Sequence, residues 1–170
     1  MINHLPDRLD LYAAAEAGRL LRGRVELVRL VRALPQLESS EGELEVSLEL
    51  GCDEDGTRYL AGSVQGSLML LCQRCLEPLE YPLEVTFRLG LVHGQEQMQG
   101  LSDRYEPLLI TGEPASLEEI ITDEVLLALP IVPLHSGTRT CRPPAMDYQT
   151  TAGSRRESPF DVLAQLKQKS

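Results

Sequence analysis

The chain has 170 residues, 42% of them hydrophobic, enough to fill the core of one domain. No stretch is apolar for the length a bilayer-crossing helix needs, and the opening Met1–Asp10 has no signal-peptide core, so a cytoplasmic protein without a membrane partner is expected. A formal charge of −10 weighs against binding nucleic acid by bulk electrostatics.

That charge is uneven. Arg8, Arg19, Arg22, Arg24, Arg29 and Arg32 crowd the first 34 residues, the middle is acidic, and Arg139, Arg142, Arg155, Arg156, Lys167 and Lys169 return positive charge at the end. A basic face built from both termini is one reading; scattered, solvated arginines are the other.

In chain order, residues 7–17 read as a short helix. Asp7 or Asp10 can cap it, alanines favour it, and Gly18 stops it. Residues 20–31 have strand-like spacing, with Leu21, Val25, Leu27 and Arg29 on one side and Pro35 as the interruption. Residues 42–50 alternate cleanly: Leu44, Val46, Leu48 and Leu50 against Glu43, Glu45, Ser47 and Glu49, the pattern of a sheet with one wet face. Asp53-Glu54-Asp55-Gly56 is a turn. It is no calcium loop, because the later oxygen ligands are missing. Residues 59–71 resume as strand, with Gly62 and Gly66 marking bulges or close backbone approaches.

Residues 79–91 alternate again, and Pro82 places that run at a sheet edge or a bulge. Residues 93–106 are expected to form an exposed, mobile loop, and residues 105–110 a short strand. Ser116 with Glu119 three residues on is a capping box. It opens a helix to about Leu129 with Leu117, Ile120, Ile121, Val125, Leu127 and Leu129 as its apolar stripe. Asp123 and Glu124 are expected to face solvent or hold an arginine.

The expected fold is α+β: an antiparallel meander of about four to six strands, open or barrel-like, covered by one main helix, with short helices at both termini. Residues 1–135 form the domain, 136–157 an irregular or disordered linker, and 158–170 a short helix opened by Ser158 and Pro159. Phe160, Leu163 and Leu166 are spaced to contact a partner or the parent domain.

One compact chemical signal stands out. Cys72 and Cys75 form a CxxC in the connection between two strands, where both thiolates can reach one tetrahedral ion. His135 and Cys141 lie past the helix and can complete a four-ligand zinc site. Thioredoxin-type redox chemistry is a second reading, disfavoured because the motif follows a strand instead of opening a helix. Plain burial of small apolar thiols is the third. Cys52 reads as a core or edge residue, and His4 and His93 as solvated. No phosphate loop, dinucleotide fingerprint, nucleophile elbow or distinct carboxylate pair is present, so no catalytic residue is assigned and no small-molecule substrate is expected.

The segment LCQRCLEPLEYPL, residues 71–83, resembles the cysteine segment of the bacterial large ribosomal RNA subunit accumulation proteins. The similarity continues in YEPL (105–108), in ITDEVLLALPIVPLH (121–135) with Cys141 after it, and in the early LDLYAAAEAGRLLRGRVEL. The end, SPFDVLAQLK, is similar to a family terminus of the form Asn-Pro-Phe-x-x-Leu-x-x-Leu-Lys, with Ser158 in place of Asn. The resemblance implies a non-enzymatic role in synthesis, processing or stability of large-subunit (23S) ribosomal RNA during ribosome biogenesis. It makes that RNA or a pre-ribosomal particle the expected partner, touched directly or through a ribosomal or assembly protein. Many relatives carry a second cysteine pair after the LP-x-x-P segment. This chain has His135 and Cys141 there, which either preserves a zinc site with one substitution or marks its loss. Candidate RNA or partner contacts are Arg19, Arg22, Arg24, Arg74, Phe160, Leu163 and Lys167. The alternative function is an acidic adaptor or chaperone for a basic ribosomal protein or assembly factor.

Overall fold

Period-two alternation governs most of the molecule, and the result is a five-stranded sheet with one wet face. The computed structural model describes residues 5–111, 114–136 and 141. The expected linker, apart from Ser136 and Cys141, and the expected terminal helix lie outside these residues.

The sheet consists of β2 (Leu20–Glu26), β3 (Glu43–Cys52), β4 (Arg58–Leu71), β5 (Pro78–Val92) and β6 (Glu106–Leu109), in that spatial order. A two-residue ribbon, β1 (Arg8–Leu9) with β7 (Ala115–Ser116), stands apart. β2 to β5 form the expected antiparallel meander. β6 departs from it and runs parallel to β5, pairing only with Leu89–Val92. The sheet is open and does not close into a barrel. Beyond that pairing one flank of β5 carries no strand among the described residues, and Pro82, which has no N–H to give a ladder, lies there as an edge residue.

One face of the sheet is core. Leu44, Val46, Leu48 and Leu50 from β3 meet Leu60, Val64, Leu68 and Leu70 from β4, then Leu83, Phe87 and Leu89 from β5. The two glycines of β4 are close approaches and not bulges, since the register runs through both unbroken. A side chain at Gly62 would overlap the Phe87 ring, and one at Gly66 would lie 2.5 Å from Leu44.

Two helices cover that face, where one was expected. α1 (Leu11–Glu16) buries Leu11, Ala14 and Ala15 against β3 and β4. Asp10 caps it by accepting from the Ala13 N–H at 2.8 Å, and Gly18 follows it at φ +60. α3 (Leu117–Ala128) is capped by Ser116, whose Oγ accepts from the Glu119 N–H, and buries Leu117, Ile120, Ile121 and Val125. Its predicted stripe is too long: Leu127 is 76% exposed, while Thr122 and Glu124 are buried. Among the described residues no helix is long and apolar enough to cross a membrane.

Three other expectations change. The strand predicted over residues 20–31 ends at Glu26. A 3-10 turn at Leu27–Arg29 then brings Leu27 and Leu30, three residues apart, into the core together. The expected loop at 93–106 contains a short helix, α2 (Gln95–Gln99), and Tyr105 is buried beside Gly90. His93, expected to be simply solvated, stacks on Tyr12 with ring centroids 4.3 Å apart.

Candidate metal centre

The β4–β5 connection is built on cysteine. β4 delivers Cys72 into full burial at its end, and the chain turns through Gln73, Arg74 and Cys75. Two bonds close the turn: the Leu76 N–H to the Cys72 carbonyl, and the Cys72 N–H to the Glu77 carbonyl. Leu76 pays for the tightness with φ +59, a left-handed conformation unusual for a side chain other than glycine.

The other half arrives from beyond α3. The helix stops at Ala128, Pro130 blocks its continuation, and the chain bends at Ile131 and Val132 before Pro133. The Pro133 carbonyl accepts the Gln73 N–H at 2.9 Å, stitching this segment to the turn. His135 and Cys141 are thereby set against the two cysteines.

One donor atom each from Cys72, Cys75, His135 and Cys141 lies within 4.8 Å of the other three. Cys72 Sγ is 3.5 Å from Cys141 Sγ, and Cys75 Sγ is 3.4 Å from His135 Nδ1. A tetrahedral zinc ion with Zn–S near 2.3 Å and Zn–N near 2.0 Å places its donors about 3.5–3.8 Å apart. The donor set fits. His135 Nε2 is 3.1 Å from the Pro78 carbonyl and donates its proton there, which leaves the Nδ1 lone pair facing the thiols. All four cysteines are free thiols.

The turn also holds negative charge. Burial works against a thiolate at Cys72, but N–H groups of Cys75, His135 and Arg74 point at its sulfur and pull its pKa down to about 5. Cys75 goes the other way, pushed up to about 11 by burial and by the neighbouring sulfurs of Cys72 and Cys141. Charge on one sulfur thus opposes charge on the next, and a divalent ion would let all three cysteines ionise together.

The remaining candidate residues are spread out. Arg19 and Arg22 are exposed and form no ion pair among the described residues. Arg24 is already spent on Glu43 and Glu45, at 3.3 and 3.4 Å. Arg74 is half-buried in the cysteine turn, where its backbone does the work. Phe160, Leu163 and Lys167 lie outside the described residues. Cys52 is exposed at the other end of the sheet and takes no part. Three contributors were not readable beforehand: the Pro78 carbonyl, the Pro133 carbonyl and the left-handed Leu76. The first two are backbone atoms with no side-chain signature; the tightness of a four-residue cysteine turn is a signal for the third.

Comparison with known proteins places the chain beside one family. A family model described as large ribosomal RNA subunit accumulation protein YceD matches residues 60–167. A protein of Haemophilus influenzae named large ribosomal RNA subunit accumulation protein YceD is 31% identical over 169 residues, covering 96% of this chain and 88% of its own length. No solved structure matches the chain.

Proposed function

This chain belongs to the large ribosomal RNA subunit accumulation protein family, and from that premise we propose that it is a non-enzymatic cytoplasmic factor in the synthesis, processing or stability of large-subunit ribosomal RNA. The observation that carries this reading is the family match, which spans the cysteine turn, α3 and the end of the chain. The family is described by the accumulation of an RNA and not by a chemical transformation, so we assign this chain no reaction of its own.

Within that role, Cys72, Cys75, His135 and Cys141 hold zinc. A closed set of three thiolates and one imidazole leaves no open coordination position, so the ion supplies structure and not catalysis. It fixes the end of β4 to the segment leaving α3.

Contact with the pre-ribosomal particle has two routes. Arg19 and Arg22, exposed and without ion pairs among the described residues, favour a direct touch on RNA. The wet face of the sheet favours a protein intermediary: Glu26, Glu43, Glu45, Glu49, Glu80 and Glu84 share it with only Arg22, Arg24 and Arg88. Such a face attracts a basic ribosomal or assembly protein and repels RNA. Ultraviolet crosslinking of the tagged protein in growing cells separates the two. Crosslinks focused on precursor large-subunit RNA support direct contact. Crosslinks to a basic protein with RNA at background support the adaptor. Absence of both from particle fractions overturns the proposed role.

A further inference from the structure

Cys72, Cys75 and Cys141 bring three thiols to one point, and the three are not equivalent. Cys72 Sγ lies 3.5 Å from Cys141 Sγ, in van der Waals contact, although the two residues are 69 apart in the chain. Both are buried and both are free thiols. Cys75 is engaged elsewhere: its sulfur is 3.4 Å from His135 Nδ1, and His135 is held in turn at the Pro78 carbonyl. A bond across the CxxC itself would have to form inside a turn already closed by two backbone bonds of Cys72. Disulfide sulfurs sit about 2.05 Å apart, so the Cys72–Cys141 pair has about 1.5 Å left to close.

We infer that Cys72 and Cys141 form a reversible disulfide, and that this bond and a metal ion are alternative closures of the β4–β5 end. The oxidant is a small disulfide of the glutathione class. One protein thiolate attacks it and displaces a first reduced glutathione; the second protein thiolate attacks the mixed disulfide and displaces the other. The two protein sulfurs lose two electrons and two protons, the two glutathione sulfurs gain them, and no further reactant is consumed. A closed ion site here needs all four donors, and the bond removes two of them, leaving Cys75 and His135. Oxidation therefore releases the ion while a covalent link keeps the segment leaving α3 on the sheet. A link between residues so distant in the chain also constrains the unfolded state strongly. The release of the ion rests on the zinc reading; the bond itself does not.

The test uses the full-length chain carrying Cys52→Ser, which removes the exposed thiol at the far end of the sheet. The protein is equilibrated in glutathione redox buffers, alkylated and digested with trypsin, which cuts after Arg74 and so separates the two cysteines of the turn. The bond predicts one linked pair of peptides, residues 59–74 with 140–155, from protein that runs as a monomer on a non-reducing gel. It also predicts a Tm about 10 °C above that of the reduced, metal-free protein. Adding Cys75→Ser keeps the link, and adding Cys141→Ser abolishes it. Zinc-loaded protein releases its ion as the link forms, read with a zinc indicator. A link from 75–88 to either other peptide, a link between two chains, or no link in the most oxidising buffer overturns the inference. Zinc retained by linked protein overturns the exchange of ion for bond. Protein that takes up no zinc yet forms the 59–74 to 140–155 link supports the bond and overturns the zinc reading alone.

Discussion

The sheet has two hairpin connections at opposite ends of β4, and they are held by different physics. At the β3–β4 end, Asp53 organises everything. One carboxylate oxygen accepts the N–H groups of Asp55 and Thr57 at 3.0 and 2.8 Å, and the other accepts Arg104 and the Tyr105 hydroxyl at 2.8 and 3.0 Å. Gly56 supplies the positive φ, and burial of the carboxylate is outweighed by the Thr57 amide, the Tyr105 hydroxyl and the Arg104 charge, which hold its pKa below the usual range. At the β4–β5 end, four soft donors converge, one side of the pair must come from beyond α3, and a leucine takes the positive φ. The first turn is complete in its own hydrogen bonds. The second adds to its backbone bonds four side chains that could hold a metal ion.

The largest expected effect breaks the second end. Chelation of zinc, or Cys72→Ser, lowers Tm by about 10 °C or more, since loss of a tightly held ion removes its whole linkage contribution. Thermal scans with and without chelator measure it, and the same chelator leaves Cys72→Ser unmoved. Asp53→Ala breaks the first end. It lowers Tm by about 5 °C near neutral pH without changing metal content. Because the folded-state pKa of Asp53 is lowered, its contribution is present above the unfolded value and vanishes as pH falls through the folded one, so wild type and variant converge in acid.

Glu124→Gln tests the helix that joins the two halves of the metal centre. Burial first, then the charges of Glu106 and Asp123, raise the Glu124 pKa. A raised carboxylate contributes stability below its unfolded pKa and loses it as pH rises through the folded one. The variant therefore gains about 2 °C at pH 8 and gains nothing near pH 4. Leu76→Gly is the smallest effect. Release from the left-handed region returns about 1–2 kcal/mol, and glycine's greater unfolded-state entropy costs about 0.5–1 kcal/mol, leaving a gain of about 0.5 kcal/mol, measurable by denaturant titration.

The sequence was most legible where one local rule acts alone. Leu44 to Leu50 alternate and form β3; Ser116 and Glu119 form the cap; Cys72 and Cys75 face one another because two intervening residues permit it. The reading failed where distant parts decide. β6 is parallel to β5 because its position follows from where the chain returns after Tyr105, and four residues are too few to encode that. Leu127 fits the helix stripe yet sits beyond the edge of what α3 covers. His135 and Cys141 carry no spacing rule of their own. They reach the cysteine turn because two prolines and the Gln73–Pro133 hydrogen bond steer them there.

We propose that the β4–β5 end is closed by an ion on Cys72, Cys75, His135 and Cys141. X-ray absorption at the zinc edge, on full-length protein purified without added metal, tests it directly. One zinc per chain is expected, with three sulfur neighbours near 2.3 Å and one nitrogen near 2.0 Å. Protein free of zinc with the turn still folded, or a shell of oxygen and nitrogen only, would contradict it.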